Sequence, residues 1–177
     1  MAFILEDGTG VAGANAYVDP AYVTAYLTDR GRETENTWST RSEAEQKVAC
    51  IKATDYIELM NSARFAGYKE FPDTPQGLSF PRILLADREG RPVTGIPEKI
   101  KQAAAEYSVR ALAAELLPDP SLSSVGGEII ETEQVVGPIK NRVKYQPGTT
   151  SAVIIKPYPA ADRLLAEFWR PSGGTYR

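Results

Sequence analysis

The residues that could do acid–base or metal chemistry are two pairs of glutamates. Glu43 and Glu45 stand two apart in a predicted helix, where such residues point to different sides. Glu131 and Glu133 stand two apart in a predicted strand, where they share one face and could converge. Neither pair has a third ligand or a glycine-built turn beside it, which a cation site would need. We therefore expect solvated acidic faces, with no catalytic residue and no metal ligand.

Histidine is absent from the 177-residue sequence, and this excludes several kinds of enzyme. A Ser–His or Cys–His nucleophile, an imidazole base and a His-ligated zinc all need that side chain. The glycines at positions 8, 10 and 13 have the spacing of a dinucleotide-binding turn, but no helix is predicted directly after them. We expect a flexible glycine loop there, no cofactor, and a protein that is not an enzyme.

Aromatic and basic residues are interleaved in the segment from residue 61 to residue 95, which proline and glycine punctuate too often for long regular elements. Such residues can bind single-stranded nucleic acid, because rings stack on bases and cations contact phosphates. The candidates for these contacts are Phe65, Tyr68, Lys69, Phe80 and Arg82. The alternative, which we favour, is that the aromatic side chains pin a long loop onto the core.

The predicted elements that position these residues are mainly helices. The strongest signal lies at 96–118, where one narrow polar stripe and two apolar stripes indicate a helix buried on more than one side. Asp19 and Pro20 start an earlier helix, as an N-cap and a first-turn proline. The spacing of Thr40 and Glu43 is that of a capping box, before a helix that extends to about residue 60.

The C-terminal third of the chain predicts short strands and a last helix. β-branched residues at 128–136 and 139–146 predict a hairpin or two short strands, with a further short strand at 152–155. We predict a mainly α fold, a small helical bundle with a short β-hairpin element and a C-terminal helix. It would be a single domain over residues 1–177, with a helical body at about 19–118, a β element at about 128–155, and a helix and tail at about 159–177. We expect no signal peptide and, since no run approaches ~18 apolar residues, no membrane span.

Charge is unevenly spread along a chain whose net charge is −3. The first 60 residues hold 5 basic and 10 acidic residues, whereas residues 138–177 hold 7 basic and 2 acidic ones. A basic C-terminal quarter suits docking onto an acidic partner surface or a neighbouring copy, and a solvated basic face is the alternative. The single cysteine, Cys50, is expected to be a small buried side chain and fits a reducing compartment.

Several short motifs occur in an order that resembles one family of tailed-phage proteins. They include Ala14–Val18, Ile51–Ile57, Gln76–Arg82 and Val136–Ile139. In order and spacing, the chain resembles the DnaT-like single-stranded-DNA-binding proteins of these phages, and it is also similar to the head–tail connector, or adaptor, proteins of long-tailed phages. Two positions depart from the usual pattern, since Ala16 replaces the serine of Asn-Ser-Tyr and Phe80 the tryptophan of Trp-Pro-Arg.

These two resemblances imply different functions, and net charge is used to choose between them. A nonspecific DNA binder takes its affinity from Lys and Arg at phosphates, whereas this chain is net acidic. We therefore predict a structural adaptor of the phage neck, located in the virion and assembled in the host cytoplasm. The alternative is a single-stranded-DNA-binding replication accessory protein that uses the aromatic and basic residues named above.

The resemblance to connectors also implies partners and interface residues. The chain would form a dodecameric ring docked under the portal protein, with contacts to neighbouring copies and to the next neck or tail ring protein. Double-stranded DNA would pass through the ring without tight binding. Charge and expected exposure assign portal contacts to Trp169, Arg170, Tyr176 and Arg177. They assign contacts with a neighbouring copy or ring to Lys140, Arg142 and Lys144.

Overall fold

The structure is a computed structural model that describes residues 2–71, 75–87, 89–118, 129–135, 140–145 and 156–170. For 129–135 and 140–145 it describes the backbone alone. The chain divides into two compact units, one made of residues 1–116 and 157–177, the other of residues 117–156. The single-domain organisation stays a prediction.

The described part of the first unit is mainly helical, so the predicted fold class is confirmed. Its α-helices are α1 Pro20–Thr28, α2 Glu43–Asn61, α3 Glu98–Ala113 and α4 Pro159–Ala166. Two 3-10 helices, Glu35–Thr40 and Ser62–Arg64, precede and follow α2. Two short strands, β1 Tyr68–Lys69 and β2 Arg82–Ile83, pair in antiparallel fashion. In the part of the chain that is described, no helix is both long and apolar enough to cross a membrane.

Local capping explains where α1 and α2 begin. The Asp19 carboxylate accepts a hydrogen bond of 2.7 Å from the backbone N–H of Tyr22, and Pro20 opens α1. The capping box of α2 consists of Ser42 and Glu45, two residues later than the predicted pair, because Thr40 still belongs to the preceding 3-10 helix. Each cap satisfies backbone N–H groups that the first helical turn leaves unpaired.

Helix α3 forms the centre of the first unit, where it contacts α1, α2, α4 and the 3-10 helix at Glu35–Thr40. Its fully buried apolar side chains are Ile100, Ala103, Ala104, Ala105, Tyr107 and Val109. The run of alanines lets neighbouring helices approach closely, and Tyr107 packs on Tyr56 of α2 with ring centroids 4.8 Å apart. The helix ends earlier than predicted, since Ala114 is already extended, with φ −159° and ψ 159°.

The N-terminal glycine loop is closed by a buried carboxylate rather than left flexible. Glu6 is 2 % exposed, and its Oε1 accepts hydrogen bonds from the backbone N–H groups of Gly8 at 3.0 Å and Gly10 at 2.9 Å. A Cβ at Gly10 would lie 2.4 Å from a ring carbon of Phe71, so only glycine fits this close approach. The loop is therefore a packed structural turn.

The second unit contains an antiparallel hairpin in its described part, as the sequence predicts. Its strands are β3 Ile129–Val135 and β4 Lys140–Tyr145. The register places Lys140 opposite Val135, Arg142 opposite Glu133, and Lys144 opposite Glu131. The predicted strand at 152–155 lies outside the described residues.

Candidate nucleic-acid interface

The segment of residues 64–69 joins two distant parts of the chain. Its first half pairs with the end of the helical body, because Phe65 and Trp169 form an antiparallel bridge and Arg170 N–H donates to Arg64 O at 2.7 Å. Its second half is β1, in which Tyr68 lies opposite Ile83 of β2. Residues that are far apart in the sequence are thus brought together along this one short segment.

Two of the aromatic rings predicted to stack on bases are core residues. Phe65 and Phe80 are both 0 % exposed, with ring centroids 4.9 Å apart. Phe80 also packs edge-on against Tyr17 at 6.2 Å and Phe168 at 6.1 Å. Neither phenylalanine offers a free ring face, so their assignment as DNA contacts is corrected. For these two rings, the interpretation that aromatic side chains pin the loop to the core describes the structure.

Arg82 is a buried cation that holds the edge together. It is 6 % exposed, and its guanidinium donates to the carbonyl oxygens of Ala66 at 2.7 Å, Gly67 at 2.8 Å and Ser79 at 3.2 Å. Burial lowers the pKa of Arg82, and the nearby charge of Arg170 lowers it further. Because its N–H groups donate inward to backbone carbonyls, Arg82 supports the edge and is not available to single-stranded DNA. Its predicted role as a DNA contact is therefore corrected.

A polar network around Glu58 fixes the loop that leads into β2. The Glu58 carboxylate accepts hydrogen bonds from the Tyr17 hydroxyl at 2.5 Å and the Ser79 hydroxyl at 2.7 Å. Burial raises the pKa of Tyr17, and the Glu58 charge adds to the shift. The Gln76 side-chain amide donates to the carbonyl oxygens of Leu78 at 2.9 Å and Pro81 at 3.0 Å. The loop therefore has a defined shape before any ligand arrives.

Cationic and apolar side chains are exposed along this edge. Tyr68 is 65 % exposed and Ile83 is 45 % exposed. Arg64 and Lys69, on the same segment as Tyr68, and Arg170, which bonds to that segment, are exposed as well. We call the surface formed by Arg64, Tyr68, Lys69, Ile83 and Arg170 the basic edge.

The cations of the basic edge have no carboxylate partner among the described residues. Among the described residues, the cationic side chains that form ion pairs are Arg32, Arg41, Lys47, Lys52, Arg91, Lys99 and Arg110. Within that same part of the chain, Arg64, Lys69 and Arg170 have no carboxylate within 4.0 Å, and Lys69 Nζ bonds only to the Gln76 carbonyl. Arg30, Lys101 and Arg163 also lack such a pair, but no contact joins them into a cluster. The basic edge is thus positive at its surface.

Of the four glutamates considered for metal chemistry, two have structural roles in or near α2, and the other two are placed by the register of β3. Glu43 pairs with Lys47 at 2.7 Å, and Glu45 serves in the capping box of α2. Glu131 and Glu133 lie on β3, opposite Lys144 and Arg142 in register. No group of three or more Cys, Asp or Glu side chains within the described ranges could hold a metal ion.

Comparison with known families decides between the two resemblances. A family model described as "Putative DnaT-like ssDNA binding protein" matches residues 1–177 of the chain. The chain belongs to this family. No curated protein and no solved structure matches the chain. Membership of the DnaT-like family covers the whole sequence, including both compact units.

The DnaT-like family assignment corrects the prediction of a phage neck adaptor. The portal protein, the neighbouring copies of a dodecameric ring, the next ring protein and passing double-stranded DNA are wrong as partners, and so is the virion neck as location. Trp169 and Arg170, predicted to face the portal, instead pair through their backbones with residues 64–66. Tyr176 and Arg177 lie outside the described residues, as do the side chains of Lys140, Arg142 and Lys144 on β4.

The sequence did not reveal that Arg170 joins the segment that leads into β1. Arg170 donates from its Nε to Phe65 O at 3.1 Å although the two residues are 105 positions apart. The contact depends on how α4 returns to the 64–66 segment, and no local pattern encodes such a distant pairing. The nearest signal was the cluster of basic residues late in the chain, which we assigned to another partner.

Proposed function

We propose that this DnaT-like protein binds single-stranded DNA through the basic edge and that it does so without catalysis. The observation that carries the proposal is an exposed aromatic ring, Tyr68, on a short segment whose exposed cations form no ion pair with any described carboxylate. The family to which the chain belongs supports the same ligand.

The chemistry of the basic edge suits a single strand. Unpaired bases expose their faces, and stacking on an aromatic side chain contributes about 1–3 kcal/mol per base. Lys69 follows Tyr68 in β1, and Arg170 donates to Phe65 O, so one cation lies on the segment that carries the ring and the other bonds to it. In the proposed complex they contact phosphates of the strand whose base stacks on Tyr68. A duplex hides its base faces, so it would gain from the cations but not from the ring.

The loops behind the edge reduce the cost of binding. Arg82 and the Glu58 network hold the backbone at 64–69 and 76–83 in place through inward hydrogen bonds. A surface that is already ordered loses little further conformational freedom when a ligand binds. The exposed side chains then supply the contacts.

The test is fluorescence anisotropy of a labelled dT oligonucleotide longer than the ~4–16 nucleotides that one binding module covers. We expect wild-type protein to bind the strand, and unlabelled single strand to compete better than duplex of equal length. Tyr68→Ala should weaken binding about tenfold, since it removes one stacking platform. Tyr68→Phe, which keeps the ring, is the matched control and should bind as wild type. Equal binding by Tyr68→Ala, or better competition by duplex, would overturn the proposal.

A further inference from the structure

A second planar group lies at the other end of the basic edge. The Arg64 guanidinium lies over the Trp169 indole, with its Cζ 3.6 Å from the ring centroid. Arg64 is exposed and Trp169 is half-buried. The guanidinium therefore contacts the ring, while the Arg64 side chain as a whole is exposed.

The backbone on both sides of this stack is fixed. The Phe65–Trp169 bridge and the hydrogen bond from Arg170 N–H to Arg64 O hold the two residues side by side. Trp169 Nε1 is buried and has no hydrogen-bond partner among the described residues, so packing and the cation–π contact position the indole. Arg64 forms no ion pair with any described carboxylate, so its N–H groups are not neutralised.

We infer that the Arg64–Trp169 stack is a second base-binding position of the single-strand site. A base lies on the outer face of the guanidinium, and the N–H groups at the guanidinium rim contact a phosphate of the same strand. Guanidinium planes serve as stacking surfaces for unpaired bases in nucleic-acid recognition. This inference rests on the proposed function and adds a residue, Arg64, that the stacking of Tyr68 does not require.

Chain geometry limits how far apart the two platforms can be. Arg64 and Tyr68 are four positions apart in the sequence, so their Cα atoms lie at most about 14 Å apart. A strand with B-like stacking advances about 3.4 Å per nucleotide, so about four nucleotides cover the distance between these two Cα atoms. One short segment of a strand can thus contact both platforms.

The first test is Arg64→Lys, which keeps the charge but removes the plane. We expect binding to dT to weaken about fivefold to tenfold, with an unchanged slope of log affinity against log salt. Arg30→Lys is the matched control, because the exposed Arg30 lies 3.7 Å over the Tyr26 ring, outside the basic edge. Wild-type affinity in Arg64→Lys would overturn the inference, since charge alone would then explain the role of Arg64.

The second test follows tryptophan emission during titration with dT. Trp38 is 1 % exposed and bonded to Thr24, so a change in emission reports on Trp169. We expect a saturable change that Trp169→Phe removes. If wild-type protein binds dT and depends on Tyr68 but shows no emission change, the second position is wrong and the proposed function stands. If wild-type protein binds no strand, the proposed function itself fails.

Discussion

At the scale of single residues, the partners of a cationic side chain decide whether it is available to a ligand, and its presence in the sequence does not. Arg32 is bound to Glu106 and Glu35, and Arg82 is bound to backbone carbonyls, so neither is available to a ligand. Among the described residues, Lys69 Nζ bonds only to the Gln76 carbonyl, and Lys69 is exposed. The candidate site is therefore a cluster of cations that form no ion pair with any described carboxylate.

Removing the Arg82 guanidinium should destabilise the fold. In Arg82→Met, four carbonyl oxygens lose a charged donor, and we expect the free energy of unfolding to fall by about 2–4 kcal/mol. Urea denaturation measures this difference. Arg163→Met, at an exposed arginine of α4, is the control and should change little. Equal stability of the two variants would show that Arg82 does not support the edge.

Residue types were enough to find candidates, but they did not separate surface from core. Phe65, Tyr68 and Phe80 fit the same aromatic–basic pattern, yet two are buried and Tyr68 is 65 % exposed. The difference arises because Phe80 packs on Tyr17 and Phe168, which are distant in the sequence. Burial of this kind depends on tertiary packing and has no local signal.

At the scale of elements, a single glycine sets the close approach between β1 and β2. Gly67 has φ +70°, and a Cβ there would lie 2.3 Å from the Ile83 carbonyl oxygen. We expect Gly67→Ala to lower the free energy of unfolding by more than about 2 kcal/mol, since backbone strain and a steric clash add.

Gly31→Ala is the matched control for this change. Gly31 has φ +63° but nothing within 4 Å of the added Cβ, so only the strain of about 1 kcal/mol applies. Thermal or urea unfolding of both variants measures the difference. Losses of equal size would contradict the tight packing of Gly67 against β2.

The buried Glu106 of α3 should make stability depend on pH. Burial acts to raise the pKa of Glu106, but hydrogen bonds from Arg32, Arg110 and Tyr26 outweigh it and lower the pKa from 4.5 to about 2. A lowered folded-state pKa means that this stabilisation is present above pH 4.5 and is lost as the pH falls toward 2.

Glu106→Gln tests this dependence by urea denaturation across the acid range. At neutral pH we expect a loss of about 3 kcal/mol, because Arg32 and Arg110 lose a buried partner. The difference from wild type should shrink as the pH falls below 4.5. Glu43→Gln, which removes the exposed ion pair with Lys47, should change the free energy of unfolding little at any pH. A constant difference between wild type and Glu106→Gln would refute the assignment.

Helices could be predicted from the sequence, whereas the strands of the basic edge could not. Caps, prolines and stripes of alanine indicated α1 and α3 because these signals act within one or two helical turns. β1 and β2 have two residues each, too few to show a period, and they pair across a loop. The elements that form the site are therefore the ones with the weakest local signals.

At the scale of the whole molecule, net charge was a poor guide to the ligand. The chain carries −3 overall, and this led to the neck-adaptor prediction that the family assignment overturns. In the described part of the fold, acids such as Glu106 and Glu35 are matched to cations away from the basic edge. The charge that remains on a surface once these ion pairs have formed determines which ligands that surface attracts.

The central claim is that the basic edge holds the strand, and salt dependence of binding tests it most directly. The measurement is the affinity of dT for wild-type protein, Lys69→Ala/Arg170→Ala and Lys47→Ala/Lys52→Ala at several salt concentrations. The control pair removes the same charge from cations bound to Glu43 and Glu115. With about three exposed cations on phosphates, wild type should show a log–log slope of about −2. We expect the edge variant to flatten this slope to about −0.7 and to weaken binding, while the control keeps the wild-type slope. Equal losses in both variants would mean that binding is diffuse and that the basic edge is not the site.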